Sequence, residues 1–327
     1  MSKPKLSLII AMYNIRDYIG ECLESCLKQE GVNDDDYEII VVNDGSTDDS
    51  AEVASQAIEG HNNAVILQKE NGGLSDARNY GFKHSLGEYV WFIDGDDLID
   101  KLAVRQIIEA TVSDAQVYIL DYSELLPDGE IKHYSFQESQ LPQGIFNGYK
   151  LVSEDKIPFP PMMAWLQIQN RSFIDENELL FLKGAKSEDI EYTSKLFSVA
   201  TKVQRINSYL YIYRKSREGS IFTGLKNDAI WIDNLLNIFS SVSEYLNKHN
   251  ACSSYSNKVL TVISTFVIYN LYSQKRDKFR ESQKLIKKRG LDFTSVLLKR
   301  RDTKNFIKWF SYSCLPYCLA KKILGRY

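Results

Sequence analysis

One stretch of the sequence decides the fold, and it reads Gly87-Glu-Tyr-Val-Trp-Phe-Ile-Asp94-Gly-Asp96-Asp97. Its first part is an apolar run of strand length, which is typical of a strand buried on both faces of a sheet. Three carboxylates then follow within four residues. Because clustered carboxylates repel one another, this spacing indicates a hard divalent cation, and oxygen ligands suit Mg²⁺ or Mn²⁺. The alternative is an Asp-Gly turn followed by a helix N-cap at Asp97 or Asp100.

Strands and helices alternate around this stretch. Apolar runs predict strands at residues 6–12, 38–42, 64–67 and 88–93, and helical spacing predicts helices at 16–29, 47–58, 75–85 and 101–112. This order requires crossover connections, which predict an α/β fold with a mostly parallel sheet and helices on both faces. Ligands bind beyond the carboxyl ends of the strands in such sheets. The segments at those ends are polar or rich in glycine: 13–14, 43–46, 71–73 and 94–97.

A second polar segment follows the strand at 38–42 and reads Asn43-Asp44-Gly45-Ser46-Thr47-Asp48. Asp44 lies at a strand end, where its carboxylate can accept a hydrogen bond from a nucleoside. The alternative is a loop that ends in a helix cap at Thr47 or Asp48.

A third segment reads Glu70-Asn71-Gly72-Gly73-Leu74-Ser75-Asp76-Ala77-Arg78-Asn79. Two glycines before a helix expose backbone N–H groups at the positive end of the helix dipole, which suits an anion. Arg78 adds a fixed cation for phosphate. The alternative is an ordinary loop followed by a surface arginine on a helix.

Taken together, these segments closely resemble the inverting glycosyltransferases of family 2, which have the GT-A fold. The matching segments are Ser7-Leu-Ile-Ile-Ala-Met-Tyr13-Asn14, Val41-Val-Asn-Asp44-Gly-Ser-Thr-Asp48, Asn71-Gly72-Gly73-Leu-Ser75-Asp-Ala-Arg78-Asn79 and the stretch from Gly87 to Asp97. The resemblance is dense over residues 5–115 and thins towards residue 225. It implies the GT-A nucleotide-diphospho-sugar transferase fold, a Rossmann-like sheet flanked by helices.

The resemblance also implies roles for residues that bind the donor. Tyr13 and Asp44 match positions that contact the nucleobase, usually uracil. Asn71 and Gly73 match the donor-binding loop, and Arg78 matches a position near the donor phosphates. Asn43 departs from the family pattern, in which many members have a second aspartate, but Asp44 is present.

In the acidic segment, Asp94 and Asp96 match the outer carboxylates of the family's D-x-D signature. Asp96 is implied to be the main ligand of Mn²⁺ or Mg²⁺, while Asp94 holds the ribose or supports the metal. Asp97 matches a further acidic position near the donor sugar.

Two downstream segments extend the resemblance. Lys186-Ser187-Glu188-Asp189-Ile190-Glu191-Tyr192 resembles the family's Glu-Asp motif at the start of a helix. Inverting transfer needs one general base to deprotonate the acceptor hydroxyl, and we assign Asp189 to that role, with Glu188 second. The alternative is an acidic helix N-terminus stabilised by the dipole. Further on, Arg214 or Arg217 matches a segment that closes over the donor diphosphate.

Length and composition bound the remaining possibilities. The chain has 327 residues, of which 44% are hydrophobic and 25% charged, so it is not a disordered protein. We expect a catalytic domain over residues 1–225, with nucleotide-sugar binding at 1–115 and the acceptor side at 116–225, followed by a helical region at 226–327. No secretory signal is visible, so we expect a cytoplasmic protein. No run reaches about 18 apolar residues, so we expect residues 259–272 to form a buried core helix and not a membrane span.

The C-terminal region is strongly basic. Residues 271–327 carry 16 Lys and Arg against 4 Asp and Glu, although the whole chain has a net charge of −3. Interleaved Trp, Phe and Leu suit a helix lying on an anionic membrane surface, which would make the protein peripheral on the inner face of the cell membrane. The alternative is a basic face of an ordinary helical bundle. We do not expect nucleic acid as a partner, because no recognised binding motif accompanies the basic residues.

The resemblance therefore implies a metal-dependent, inverting glycosyltransferase. The expected donor is a nucleotide sugar, specifically a UDP-sugar. The expected acceptor is a glycan or lipid-linked saccharide in the synthesis of capsule, O-antigen or exopolysaccharide. Two alternatives are a sugar-phosphate nucleotidyltransferase and a non-catalytic glycan-binding protein with a degenerate site.

Overall fold

The apolar run before the acidic segment forms a strand near the middle of a mixed sheet. The structure is a computed structural model that describes residues 3–136, 141, 143–216, 229–273, 276–289 and 293. The strands in these residues are β1 Leu6–Met12, β2 Tyr37–Asn43, β3 Ala64–Gln68, β4 Tyr89–Asp94, β5 Leu98–Ile99, β6 Val117–Leu125, β7 Ile131–Tyr134, β8 Ile145–Phe146, β9 Gln167–Asn170 and β10 Val203–Arg214. The α-helices are α1 Arg16–Leu27, α2 Ser50–Ala57, α3 Leu74–His84, α4 Ala103–Ala110, α5 Gly148–Ser153, α6 Arg171–Glu176, α7 Glu188–Val199, α8 Ala229–Lys248, α9 Ser253–Ser273 and α10 Arg276–Arg289.

The N-terminal half of the sheet is parallel, in the order β3-β2-β1-β4. The strands and helices predicted for residues 6–112 are confirmed with shifts of a few residues at their ends. Met12 pairs with Asn43, and Ala11 pairs with Asp94, so the strands end at one edge. The polar segments that follow β1, β2 and β4 therefore lie side by side, as the strand order predicts.

The C-terminal half of the sheet corrects the prediction of a mostly parallel sheet. β9 is antiparallel to both of its neighbours, β4 and β6, and β5, β7 and β8 also pair in antiparallel fashion. β10 runs parallel to β6 with two register irregularities. The sequence concealed β9 because this strand has four residues and includes two buried glutamines, so it has no extended apolar run.

The helices after residue 228 pack onto α7. α7, α8 and α9 contribute to one apolar core, and Tyr255 on α9 donates from its hydroxyl to the Ser194 carbonyl of α7 at 2.8 Å. The predicted core helix at 259–272 is confirmed, since it lies within α9 and includes the buried side chains Val259 and Ile263. The predicted domain boundary at residue 225 lies outside the described residues, so the division into domains stays a prediction.

Part of the basic region is described, and one of its charges contacts the protein itself. Arg289, at the end of α10, donates from Nη1 to Asn237 Oδ1 on α8 at 2.7 Å and also pairs with Asp233. Within the described residues, no helix combines the length and the apolar character that crossing a membrane requires. Residues 294–327 lie outside the description, so the membrane contact predicted for this region stays a prediction.

Candidate functional site

One buried arginine connects two segments that are far apart in the sequence. Arg78 lies on α3, and its side chain is 1% exposed. Its Nη1 donates to Glu188 Oε1 at 2.9 Å and to Asp189 Oδ1 at 2.9 Å. Its Nη2 donates to Asp94 Oδ1 at 2.7 Å. The acidic segment after β4 and the start of α7 therefore meet at one cation, and we call these four side chains the Arg78 cluster.

Close packing of α3 on the sheet explains why Arg78 is buried. A Cβ at Gly81, on the same helix, would lie 2.4 Å from Ile9 Cγ2, so only glycine allows this approach. The guanidinium also lies over the Phe181 ring, 5.1 Å from its centroid. The contact with donor phosphates expected for Arg78 stays a prediction, and the structure gives its guanidinium three carboxylate partners instead.

The Arg78 cluster contains more negative than positive charge. The pKa of Asp189 is raised from 3.8 to about 7, chiefly by burial; Arg78 opposes the increase, and the charges of Glu188 and Asp94 add to it. The backbone N–H of Ala164 also hydrogen-bonds to this carboxylate. The side chain of Asp189 is 22% exposed, so a carboxyl group that can exchange a proton near neutral pH remains accessible from solvent.

The acidic segment after β4 is held by the end of β10. Asp97 is buried and accepts from the Tyr211 hydroxyl at 2.6 Å and from the Arg214 backbone N–H at 2.7 Å. Burial raises the pKa of Asp97 well above its usual value, and the charges of Asp96 and Asp94 raise it further. The three predicted carboxylates therefore act on one another electrostatically, as their spacing indicates.

The turn in this segment requires glycine. A Cβ at Gly95 would lie 2.6 Å from Ile15 Cδ1 and 2.8 Å from the Ala11 carbonyl oxygen. A larger residue would push the acidic segment away from β1 and from the loop that follows it. The glycine between the two outer carboxylates is thus a packing requirement as well as a turn residue.

Asp44 is placed against the glycine loop that the sequence singled out. Its side chain is 4% exposed and accepts from the backbone N–H groups of Gly72 at 2.9 Å and Gly73 at 2.7 Å. The Asn71 amide donates to the Asp44 carbonyl at 2.9 Å. The loop N–H groups expected to bind an external anion are therefore bonded to a carboxylate of the same site. The nucleobase and donor contacts of Asp44, Asn71 and Gly73 stay predictions.

Sequence reasoning missed the cations around Asp44. Lys69 Nζ lies 2.5 Å from Asp44 Oδ1 and 2.8 Å from Asp76 Oδ2, and Lys183 Nζ lies 2.5 Å from Asp76 Oδ1. We call these four side chains the Lys69 cluster. Burial would lower the pKa of Lys69, but its bonds to Asp44 and Asp76 raise it. Lys183 lies more than 100 residues from Asp76, so no local pattern could have paired them.

The loops after β1 and β2 are joined by one asparagine. Asn14, at φ 50°, accepts from the Thr47 backbone N–H at 2.8 Å through its side-chain oxygen. Its own backbone N–H donates to the Ser46 hydroxyl at 3.1 Å. Tyr13 lies directly before it and is 48% exposed, at the same sheet edge as Asp44. This placement leaves the Tyr13 ring accessible, and its contact with a nucleobase stays a prediction.

Arg214 lies beside the acidic segment at the end of β10. Its Nε donates to the Asp96 carbonyl at 3.0 Å, and its Nη2 pairs with Glu21 at 2.6 Å. The guanidinium also lies over the Tyr18 ring, 5.4 Å from its centroid. This position puts a cation next to Asp96, while a contact with the diphosphate stays a prediction. Arg217, the other candidate, lies outside the described residues.

Tyr211 received no role in the sequence analysis. Its hydroxyl donates to Asp97 and accepts from the Asp94 backbone N–H at 3.2 Å, so one phenol contacts two acidic residues. The alternating aromatics of residues 209–213 were the available signal, because alternate side chains of a strand share one face. The bond from Ala164 to the Asp189 carboxylate left no signal in the sequence, since its donor is a backbone N–H that any residue but proline has.

A divalent cation fits this site only with additional ligands. Within the described part of the chain, no three His, Cys, Asp or Glu side chains are grouped so as to hold a metal ion. Asp94 and Asp96 offer oxygen atoms, which Mg²⁺ and Mn²⁺ prefer. Because Mg²⁺ commonly takes one or two carboxylates and completes its coordination with water and substrate phosphates, the donor set fits such an ion.

Comparison with known proteins adds a family to this geometry. The family model described as Glycosyl transferase family 2 matches residues 7–156. The chain is 31% identical to the glycosyltransferase GlyG of Streptococcus pneumoniae over 247 residues, which cover 72% of this chain and 78% of GlyG. It is 33% identical to GlyA of the same organism over 224 residues, which cover 66% of this chain. The chain spans only 31% of the length of GlyA.

A solved structure is similar in fold. The chain matches Staphylococcus aureus TarS in complex with UDP-GlcNAc at a TM-score of 0.64 and 19% identity. The match covers 94% of this chain and 80% of the TarS chain in that structure. The similarity therefore includes helices that follow β10, beyond the region matched by the family model.

Proposed function

The chain belongs to glycosyltransferase family 2 and has the GT-A fold, and on this premise we propose that it transfers a sugar, with inversion, from a UDP-sugar to a glycan or lipid-linked acceptor. One observation carries the proposal. Arg78 brings Asp94, from the predicted donor and metal segment, to the same guanidinium as Asp189, the proposed base. The donor and the base must lie close together, because the acceptor hydroxyl gives its proton to the base while it attacks the donor sugar.

The donor nucleotide is proposed to bind along the edge formed by the first strands. Tyr13 is exposed there, and Asp44 is held against the loop that contains Asn71 and Gly73. Fixed hydrogen bonds around Asp44 support a role in orienting a nucleobase, because a carboxylate in one geometry can select one set of donors. TarS was solved with UDP-GlcNAc, which makes a UDP-sugar the first donor to test.

Asp189 is proposed as the general base, with Glu188 as the second candidate. In the transfer, the acceptor hydroxyl oxygen forms a bond to the anomeric carbon as the bond from that carbon to the diphosphate breaks. Asp189 takes the hydroxyl proton, and the bonding electrons leave with the diphosphate. A pKa of about 7 matches this task, since the carboxylate form is available near neutral pH and still binds a proton.

The leaving diphosphate needs positive charge at the acidic segment. Asp96 and Asp94 are proposed as the side chains that would hold Mn²⁺ or Mg²⁺, and a bound ion would supply positive charge for the diphosphate. Arg214 lies beside Asp96 and adds a permanent cation. Asp97, fixed by Tyr211, is proposed to contact the donor sugar.

The setting proposed for this reaction is the synthesis of a bacterial surface polysaccharide. GlyA and GlyG, which support it, are glycosyltransferases of a bacterium. The basic residues of 271–327 are proposed to hold the protein on an anionic membrane surface, where a lipid-linked acceptor would be available. No specific observation favours a nucleotidyltransferase or a non-catalytic protein. Membership of a glycosyltransferase family argues against both.

A ligand-binding experiment tests the donor proposal. We expect UDP with Mn²⁺ to raise the melting temperature, because a ligand that binds only the folded state stabilises it by about 2.7 kcal/mol at 100 times its Kd. Differential scanning fluorimetry with UDP, GDP and TDP, each with and without Mn²⁺, measures this shift. Asp96→Asn is the matched variant and should lose the Mn²⁺-dependent part. Absence of a shift with all three nucleotides would refute the donor proposal.

A further inference from the structure

Four aromatic side chains form a continuous row beside the reaction centre. The rings of Tyr134 and Tyr122 stack with centroids 5.1 Å apart and planes 11° apart. Tyr122 meets the edge of Trp165 at 5.1 Å, and Trp165 stacks on Tyr213 at 5.8 Å. The row thus runs from β7 across β6 to the end of β10, and we call it the aromatic row.

The aromatic row is open to solvent along part of its length. Trp165, in its middle, is only 5% exposed and serves as its anchor, whereas Tyr134, at its outer end, is 38% exposed. Tyr122 and Tyr213 are partly exposed. Single exposed aromatic side chains are common, but three partly exposed rings packed around one buried tryptophan are a grouping of the kind that binds ligands.

Two contacts join the aromatic row to the proposed catalytic residues. Trp165 also stacks on Tyr211, with centroids 4.3 Å apart, and Tyr211 donates to Asp97. Ala164, the residue before Trp165, donates its backbone N–H to Asp189. The middle of the row is therefore connected to the proposed base and to the acidic segment, and from there the row extends to Tyr134.

Polar groups border the outer end of the row. The Tyr134 hydroxyl donates to Glu124 Oε2 at 3.1 Å, and Lys215 Nζ donates to the same oxygen at 2.6 Å. Aromatic faces with polar groups at their border suit a ligand that has apolar faces and hydrogen-bonding edges. A pyranose ring has this character, because its C–H bonds form its faces and its hydroxyl groups its edge.

We propose that the aromatic row binds sugar rings of the acceptor and directs the acceptor's terminal hydroxyl to Asp189. This inference rests on the proposed function, since it assigns the acceptor side of the same site. It commits to a saccharide of at least two rings, because the row continues from Tyr213 to Tyr134 across three strands.

The opposite face of the same strands provides a matched control. His133 and Tyr134 are neighbours on β7, so their side chains point to opposite faces. His133 stacks on Tyr209 at 4.4 Å, and Tyr209 is 40% exposed, close to the 38% of Tyr134. Removing either tyrosine ring deletes one exposed stacked ring from the same strands, but only Tyr134 belongs to the aromatic row.

The test uses the full chain saturated with UDP and Mn²⁺ and titrated with cellobiose, lactose or N,N′-diacetylchitobiose. Saturation-transfer difference NMR measures binding. We expect at least one disaccharide to bind the wild type and Tyr209→Ala equally. Tyr134→Ala should weaken that binding about two- to tenfold through loss of a stacked ring. Tyr134→Phe, which keeps the ring, should restore it.

The outcomes separate this inference from the proposed function. Failure of UDP and Mn²⁺ to raise the melting temperature of the wild type would count against the donor site, whatever the sugars do. If that shift is present in the wild type and in Tyr134→Ala, both proteins are folded and bind the donor nucleotide. The aromatic row is then overturned as a sugar site if Tyr134→Ala and Tyr209→Ala lose disaccharide binding equally. It is also overturned if the wild type binds none of the disaccharides. A changed sedimentation coefficient in Tyr134→Ala with unchanged sugar binding also overturns it, in favour of self-association.

Discussion

The Arg78 cluster and the Lys69 cluster each include a residue from the first half of helix α3, Arg78 and Asp76, and they differ in charge balance. The Arg78 cluster sets one cation against three carboxylates, Asp94, Glu188 and Asp189. The Lys69 cluster sets two cations, Lys69 and Lys183, against Asp44 and Asp76. Both clusters join segments that lie far apart in the chain. Only in the Lys69 cluster does the number of cationic groups equal the number of carboxylates.

The pKa values of the two clusters differ as well, through burial in one and through ion pairing in the other. Lys183, then Lys69, lowers the pKa of Asp76, which holds that carboxylate in its charged form. In the Arg78 cluster, burial raises the pKa of Asp189 to about 7 although Arg78 opposes the change. A balanced cluster keeps its charges fixed and supports structure, whereas a cluster with excess negative charge retains a carboxyl group able to exchange a proton.

The largest expected effect comes from removing the titrating group of the Arg78 cluster. Asp189→Asn should lower the transfer rate, or the hydrolysis of the UDP-sugar, by about 10²- to 10⁴-fold, the usual contribution of a general base. Steady-state kinetics measure this loss, and the melting shift with UDP and Mn²⁺ should persist. Glu188→Gln is the control. An equal loss there, with activity retained in Asp189→Asn, would assign the base to Glu188.

The second effect is on stability and removes the single cation. Arg78→Gln leaves three carboxylates without their shared partner, so the free energy of unfolding should fall by about 3–5 kcal/mol. Urea denaturation measures it. Arg16→Gln is the matched control, because Arg16 is 56% exposed and pairs with Asp49, and it should cost less than about 1 kcal/mol. Similar losses in the two variants would mean that the Arg78 cluster does not stabilise the fold.

A smaller effect is expected in the balanced cluster. Lys69→Gln removes the cation shared by Asp44 and Asp76 but leaves Lys183 on Asp76, so unfolding should become easier by about 1–3 kcal/mol. The Kd of UDP should also rise, because Asp44 loses one of its fixed partners. Lys183→Gln, at a lysine that is 72% exposed, should change stability by less than about 1 kcal/mol. An unchanged UDP affinity in Lys69→Gln would separate this cluster from nucleotide binding.

The pH dependence is the most specific test of the comparison. The base must be ionised, so kcat/KM should rise with pH, level off above about 7 and fall about tenfold for each pH unit below it. The same raised pKa favours the protonated folded state, so this group's contribution to stability should decline as pH rises from about 4 to about 7. Asp189→Asn should remove that part of the decline. A rate profile that is flat between pH 5 and 8 would contradict the role of Asp189.

The N-terminal half of the site was readable from the sequence because its signals are local. Strand Tyr89–Asp94 and the carboxylates after it could be predicted, since an apolar run of strand length followed by polar residues is a feature of one short segment. The same holds for Asp44 and Gly73, which the order of strands and helices places at one edge of the sheet.

The C-terminal half of the sheet could be predicted less well from the sequence, because its signals are not local. β9 inserts in antiparallel fashion between β4 and β6, and its four residues have no apolar pattern. β10, which includes the alternating aromatics of residues 209–213, is 12 residues long and irregular in register. Register irregularities change which face a side chain occupies, so the stacking of Tyr211 on Trp165 could not be predicted from alternation.

By itself, the sequence determined the alternation of strands and helices, the sheet edge at which the polar segments meet, and the resemblance to a family of transferases. Only the tertiary structure decided that Arg78 contacts Glu188 and Asp189, more than 100 residues away, instead of remaining a surface cation. The physical reason is that periodicity is set by neighbouring residues, whereas the partner of a charge depends on which elements pack together and exclude water. Packing of α3 and α7 against the sheet thus produced the burial that raises the pKa of Asp189, to which the charges of Glu188 and Asp94 add while Arg78 opposes them.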